Sequence, residues 1–258
     1  TNTKIIARAN SSPIGWTKNI FKKYIYKFVI NLADDVVVNS FEFKKDFIKY
    51  FNIKANCIYN PFDKSFIIKK LNKNKKTIFK NKSLKILTIG RLTNQKDHFT
   101  LLKAVKLIDS KMRPEIVIIG KGTNSKILKQ YIFKNTLEKK IKLIGYKSNP
   151  YNYLKKTDIF ILTSKYEGLP NVLLEAQFLN KYIISTNCPN GPKEILLNGE
   201  AGDLINIGDY KSLSKLINSF YINKKIIKKK IYIAKKNFYR FDYKNNCEKY
   251  LKLINKNF

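Results

Sequence analysis

From residue 84 onward, short apolar runs alternate with longer stretches whose apolar side chains recur at helical spacing. That alternation predicts an α/β domain: a parallel sheet with helices on both faces. The runs place strands at 85–89, 115–119, 141–144, 158–162, 182–185 and 202–204. Between the first two, Leu101, Ala104, Val105 and Ile108 share one face of a helix that Asp97 is placed to cap. Gly90, Gly120 and Gly145 each follow a strand directly, where the chain must turn. Ligands of such sheets lie at the carboxyl ends of the strands. The polar motifs of this chain collect there too.

Upstream, apolar runs at 4–9, 35–39 and 56–59 are separated by helical segments near 18–32 and 41–50. Three strands leave much of a sheet's face uncovered, and a complete domain needs on the order of 100 residues. The expectation is therefore the second half of another α/β domain, in a chain that opens at Thr1 and lacks the beginning of that domain. The boundaries drawn are 1–68 for this partial N-terminal domain, 69–83 for a linker, 84–237 for the C-terminal domain, and 238–258 for a final helix packing back on the first domain. Residues 62–83, with the basic run Leu71-Asn72-Lys73-Asn74-Lys75-Lys76, read as the interdomain connection. After Asp209 the pattern is helical, interrupted around Arg240-Phe241-Asp242.

Composition changes the picture in one respect. Fifty-two basic against 18 acidic side chains give a net charge of +34, a field that favours anionic partners: nucleic acid, acidic lipid or pyrophosphate. Lys, Ile and Asn recur in loops and on helix faces alike, so the charge alone selects none of them. No zinc-finger spacing, aromatic RNA-binding strand or helix-turn-helix signature accompanies it, which argues against the rival reading as a nucleic-acid-binding protein. Cys57, Cys188 and Cys247 are odd in number and widely spaced, suggesting neither a disulfide framework nor a zinc site. A reducing cytoplasm is the expected setting. No apolar run approaches the roughly 18 residues of a membrane span. Membrane contact, if made, is peripheral: Phe21, Tyr24, Ile25 and Phe28 interleave with Lys18, Lys22, Lys23 and Lys27 in a helix suited to acidic lipid, unless its apolar side packs on its own domain.

The most specific feature is Glu167-Gly168-Leu169-Pro170-Asn171-Val172-Leu173-Leu174-Glu175, directly after the strand ending at Leu162. A loop carboxylate precedes a Gly-Leu-Pro turn into a helix, and a second carboxylate lies on that helix. Pro170 fits the first helical turn, and the free N–H groups of a helix start suit an anion. Carboxylates accept hydrogen bonds from hydroxyls, so two of them flanking an anion site suit a ligand built as sugar, pyrophosphate and ribose. Two Glu at this spacing are otherwise ordinary solvated charges; the surrounding Gly-Leu-Pro-Asn and the preceding strand set this pair apart.

At these residues the chain resembles the family-four retaining glycosyltransferases of the GT-B architecture, whose signature is Glu, seven residues, Glu. Gly90-Arg91-Leu92-Thr93-Asn94-Gln95-Lys96-Asp97 resembles that family's first strand-to-helix loop, and Gly191-Pro192-Lys193-Glu194-Ile195 its loop beyond the second Glu. The likeness covers about 84–205 and, more loosely, the Asn60-Pro61 crossing and the C-terminal helix. It implies a complete C-terminal Rossmann-like domain beside a partial, acceptor-side one. It implies Arg91 and Lys96 on the donor diphosphate, Glu167 on the transferred sugar and Glu175 on the ribose, with Gly90, Gly145, Tyr146, Gly168, Leu169, Asn171 and Val172 around the donor. The expected catalytic set is Arg91, Lys96 and Glu167, acting on a nucleotide-sugar, UDP-linked in the first instance, and a glycan or lipid-linked acceptor; the alternative is a truncated remnant that binds the donor without transferring it.

Those roles agree with the chemistry. As the glycosidic bond breaks, negative charge builds on the departing diphosphate, and fixed cations there lower the barrier. Arg offers a planar fork for oxygens and Lys a compact point charge. With both present a metal is not required; no Asp-x-Asp pattern appears on this sheet, and the expectation is no metal and no cofactor. Gly120-Lys121-Gly122 lacks the third Gly of a dinucleotide fingerprint and reads as a turn. His98, the lone histidine, reads as a helix start, and Trp16 as packing.

Overall fold

The computed structural model describes residues 3–10, 19–71, 79 and 83–255. Trp16, Lys18 and most of the expected 69–83 linker lie outside them.

Six strands form the larger sheet: β4 (Leu84–Ile89), β5 (Pro114–Ile119), β6 (Ile141–Leu143), β7 (Ile159–Leu162), β8 (Tyr182–Thr186) and β9 (Asp203–Ile205). All pairings are parallel, in the order β6-β5-β4-β7-β8-β9. Each run recognised as apolar became a strand, with ends shifted by a residue or so. Strands β5, β7 and β8 are buried on both faces, which explains why they read as continuous rather than alternating apolar runs, while the edge strands β6 and β9 are half-buried.

The pleat divides that apolar content between two cores. Ile86, Ile116, Ile118, Ile159, Ile161 and Ile184 face α4 (His98–Lys106), α5 (Ser125–Lys134) and α9 (Tyr210–Asn218). Leu101, Ala104, Val105 and Ile108 all join this core, as their spacing predicts. Leu87, Val117, Phe160, Leu162 and Ile183 face the other side, against α6 (Tyr151–Lys155) and α7 (Asn171–Phe178). Tyr59, Phe62, Phe238 and Phe241 close this second core, so the crossing between the two sheets is itself buried.

The smaller sheet holds β1 (Ile6–Ala9), β2 (Asp35–Val38) and β3 (Asn56–Cys57), parallel and in that order. Helix α2 (Phe41–Phe51) packs on it through Phe43, Phe47 and Phe51. Ser40 caps this helix by accepting the Phe43 N–H, and Asn52 ends it in the left-handed region at φ 56°. Helix α1 (Ile20–Asn31) has no buried residue; Phe21, Tyr24 and Phe28 are 72%, 67% and 67% exposed. No helix among the described residues is long and apolar enough to cross a membrane.

Several local expectations need correction. Within 62–83 the chain forms a helix, α3 (Lys64–Lys70), capped by Asp63 and anchored by buried Ile67. Asp97 stands at the cap position of α4, but its carboxylate accepts the Thr100 hydroxyl at 2.7 Å rather than a backbone N–H. Pro170 stands one residue before the helix, in extended backbone (ψ 105°), and α7 begins at Asn171. Beyond α8 (Pro192–Ile195) lie α10 (Lys224–Lys236) and α11 (Tyr243–Asn255), with a break at 238–242. Helix α11 lies by the smaller sheet, where Tyr250 sits under the Arg8 guanidinium at 5.7 Å.

Candidate functional site

The chain winds outward from β4 through β5 to β6, then returns to the other side of β4 as β7. Between β4 and β7 the winding direction reverses, so their following loops splay apart and leave a crevice at the strands' carboxyl ends. Residues 90–97 follow β4, and 163–170 follow β7.

These two loops are stitched to each other. The Thr163 hydroxyl donates to the Lys96 carbonyl at 3.0 Å, and the Gln95 amide to the Tyr166 carbonyl at 2.9 Å. The Lys165 N–H donates to the Gln95 carbonyl at 2.8 Å. At the centre, Lys96 Nζ meets Glu167 Oε1 at 2.5 Å, with side-chain exposures of only 14% and 8%. Two residues expected to serve neighbouring parts of one ligand thus neutralise each other.

The remaining expected residues divide into groups. The Lys96 stem passes over Gly90, where an added Cβ would meet it at an ordinary contact distance of 3.5 Å. Arg91 is exposed, donates to the Gln95 side chain at 3.2 Å, and lines a cavity of about 270 Å³ with Ile89, Gly120, Lys121 and Tyr146. Gly120 is there by necessity: a Cβ would sit 1.8 Å from the Gly90 carbonyl oxygen. Gly145 turns at φ 72° and leads to exposed Tyr146, whose ring lies 5.5 Å from the Lys121 ammonium. Gly168 is equally constrained, since a Cβ would come within 2.1 Å of the Asn10 carbonyl oxygen. Leu169 is buried, Val172 packs on the second core, and Asn171 is exposed.

Glu175 lies farther along α7. No described cation pairs with it; the Tyr151 hydroxyl donates to its carboxylate at 3.5 Å. Burial pushes its pKa from 4.5 up to about 7, against the small opposing pull of that hydroxyl. The cavity lined by Arg91 does not reach Lys96, Glu167 or Glu175. The structure therefore joins Lys96 to Glu167 directly and Arg91 to the same loop, while Glu175 stands apart at Tyr151. His98 starts α4, buried, its Nδ1 without a partner; burial, reinforced by Lys96, lowers its pKa to about 4. Among the described residues no three His, Cys, Asp or Glu cluster as metal ligands would.

The sequence marks Asn60, Glu194 and Arg240 as parts of motifs or breaks, but not as the residues that join the two sheets. The Glu194 carboxylate accepts the Phe41 N–H at 2.9 Å and the Glu42 N–H at 3.3 Å, at the start of α2, and the Tyr59 hydroxyl at 2.5 Å. A carboxylate of the larger unit thus meets the positive end of a helix in the smaller one. Asn60 bonds to both units, and Arg240 donates to the Glu194 and Ile195 carbonyls. The partners of Glu194 in the smaller unit lie 135 to 153 residues from it, and those of Asn60 and Arg240 from 45 to 109 residues away, so no local signal marks the contacts.

Known proteins place this geometry. The chain is 33% identical over 207 residues to an uncharacterized glycosyltransferase of Methanocaldococcus jannaschii, covering 76% of this chain and 51% of that protein. It is 29% identical over 219 residues to N-acetylgalactosamine-N,N'-diacetylbacillosaminyl-diphospho-undecaprenol 4-alpha-N-acetylgalactosaminyltransferase of Campylobacter jejuni, covering 82% and 58%. The chain thus spans little more than half the length of either relative. Its fold matches that of Anabaena HepE in complex with UDP-glucose, with a TM-score of 0.83, 19% identity, and coverage of 98% of this chain and 72% of that one. The TarM glycosyltransferase structure from Staphylococcus aureus matches at a TM-score of 0.81 and 19% identity, over 98% of this chain and 51% of that one. Both sheets and their order follow the GT-B architecture. The family model described as glycosyl transferases group 1 matches residues 69–237, the segment that contains every residue of the crevice, and the chain belongs to that family.

Proposed function

We propose that this chain carries the donor-binding unit of a retaining glycosyltransferase that moves a sugar from a nucleotide diphosphate, UDP in the first instance, to a glycan or lipid-linked acceptor. The Lys96–Glu167 pair at the reversal of strand order is the observation that carries this reading. An ammonium and a carboxylate paired this closely in a crevice are each other's placeholders. When a sugar diphosphate enters, the ammonium turns to phosphate oxygens and the carboxylate to sugar hydroxyls, so each gives up one partner and gains another. Arg91, on the same loop, adds a second cation to the departing diphosphate, whose developing charge two fixed cations stabilise without calling on a metal or cofactor. Glu175 accepts the ribose hydroxyls from farther along α7.

The names of two relatives support the acceptor class: the Campylobacter enzyme above, and an Escherichia coli UDP-Gal:alpha-D-GlcNAc-diphosphoundecaprenol alpha-1,3-galactosyltransferase, 31% identical over 180 residues, 60% of this chain and 46% of that one. Helix α1 supports work at a membrane surface, since its exposed Phe21, Tyr24, Ile25 and Phe28 stand among Lys22, Lys23 and Lys27. Flotation with anionic liposomes at moderate salt tests that part; failure to float removes it.

The donor is tested by a thermal-shift panel of UDP-, GDP- and ADP-sugars, because a ligand selective for the folded state raises the melting temperature. A shift with UDP-sugars that Lys96→Ala abolishes is expected. No shift with any member overturns the reading.

A further inference from the structure

The crossing from the smaller unit to the larger runs through Asn60-Pro61, and the donor site as described makes no use of it. Its surroundings are unusually fixed. The Ile58 N–H donates to the Val38 carbonyl and the Phe62 N–H to the Phe241 carbonyl, both at 2.9 Å, and Tyr59 and Phe62 are buried on either side. Pro61 further narrows the backbone choices of Asn60. The Asn60 side chain is therefore aimed by a rigid backbone.

A side-chain amide has two donor hydrogens and a carbonyl oxygen with two lone pairs. Asn60 uses all four. Its oxygen accepts from Arg8 Nη2 at 2.8 Å and, more weakly, from Asn39 Nδ2 at 3.5 Å. Its nitrogen donates to the Leu169 carbonyl at 3.1 Å and to Asn171 Oδ1 at 2.6 Å. Arg8 belongs to β1 and Asn39 follows β2, both in the smaller sheet; Leu169 and Asn171 flank Pro170 in the segment that begins with Glu167. One amide thus fastens the strand ends of one sheet to the loop that presents the carboxylate of the other.

Gly168 gives an independent sign of the same fastening. A Cβ there would come within 2.1 Å of the Asn10 carbonyl oxygen and 3.3 Å of Asn39 Nδ2, and one on Gly191 would come within 1.9 Å of the Gly168 carbonyl oxygen. The loop next to Glu167 is clamped between the smaller sheet and the turn before α8, so it cannot shift without moving its neighbours.

We infer that Asn60 is a positioning residue: through Leu169 and Asn171 it sets where Glu167 stands, and so how well the site holds the sugar end of its donor. The inference rests on the donor-site reading above. It assigns no contact between Asn60 and substrate. The smaller unit, on this account, does more than stand opposite the donor site; its strand ends determine the site's shape.

Asn60→Asp is the discriminating variant. It keeps the shape and both acceptor positions but removes both donated hydrogen bonds. Calorimetry with UDP-glucose and with UDP, on this chain and on its Asn60→Asp and Glu167→Gln variants, separates the sugar end from the nucleotide end. Losing these two loop hydrogen bonds, one part-buried and one exposed, is expected to weaken UDP-glucose about tenfold and UDP less than about twofold. Glu167→Gln should show the same sugar-selective loss. If Glu167→Gln shows it and Asn60→Asp does not, or if Asn60→Asp weakens both probes alike, the positioning role is overturned while the site stands. If Glu167→Gln shows no sugar-selective loss, the site reading itself fails. Hydrogen exchange tests the fastening without any ligand: Asn60→Asp should speed exchange at amides 165–172 alone. Faster exchange throughout the strands of the larger sheet would make Asn60 an ordinary stabilising residue and overturn the inference.

Discussion

Glu167 and Glu175 sit at the two ends of one nine-residue segment and live under opposite electrostatic conditions. Glu167, in the loop, is held by Lys96 and has little exposure. Glu175, on the helix, is shielded from water yet has only a distant tyrosine hydroxyl for company, and burial drives its pKa to about 7. The same side chain therefore has a cation beside it at one end, and at the other has none and is marginal as an anion. The contrast teaches that a spacing motif reports where two groups lie on the chain but not what charge each keeps; that is decided by what the fold brings to them.

The sharpest way to break the contrast is to take away the cation. Lys96→Ala leaves Glu167 a buried, unpaired carboxylate and should cost about 3–5 kcal/mol in urea denaturation. Removing both partners with Lys96→Ala/Glu167→Ala should recover more than half of that loss. A single-variant cost under about 1 kcal/mol would mean that Glu167 does not depend on Lys96, and the contrast would vanish.

The next largest effect is at the other end. Between pH 4.5 and about 7 the folded protein keeps a proton on Glu175 that the unfolded chain has released. Stability must then fall as pH rises through that window, by about 3 kcal/mol. Thermal melts should show this slope, and Glu175→Gln should remove it. Nucleotide affinity should run the other way, rising with pH as the carboxylate becomes an acceptor for ribose hydroxyls. A melting profile with the same slope in the Gln variant would assign the titration elsewhere.

Two smaller effects sharpen the comparison. Arg91 is exposed, so Arg91→Ala should change stability by no more than about 0.5 kcal/mol while weakening UDP about tenfold. Equal stability and unchanged affinity would remove Arg91 from the site. Tyr151→Phe deletes a hydrogen bond already at its length limit, so it should raise the Glu175 titration midpoint only slightly, worth less than about 0.7 kcal/mol. An NMR titration of the Glu175 carboxyl would measure it.

Much of this was legible in the chain. The inner strands of the larger sheet were visible because β5, β7 and β8 are buried on both faces and so read as uninterrupted apolar runs, and the Gly90, Gly120 and Gly145 turns punctuate the sheet. Glu167 and Lys96 were visible as members of loops following strands. Other features were hidden for physical reasons. Helix α3 has one buried anchor, Ile67, in a lysine-rich stretch, too little apolar signal to separate it from a connecting loop. Asp97 looked like a cap because only its identity and place were available; its left-handed backbone, φ 42°, turns the carboxylate to Thr100 instead. The Lys96–Glu167 pairing, the Tyr151 partner of Glu175 and the Glu194 bridge to α2 all depend on contacts distant in sequence, which no periodicity encodes.

The neighbouring positions of β4 and β7 have a consequence for how the molecule is made. Lys96 and Glu167 are 71 residues apart along the chain, with β5, β6 and their helices lying between β4 and β7 in sequence. Such long-range parallel pairing is slow to form, because a long loop must be closed first. The crevice exists only in molecules in which β4 and β7 have met. A nucleotide added during refolding has nothing to guide in the early steps, and instead drains completed molecules out of the folding equilibrium.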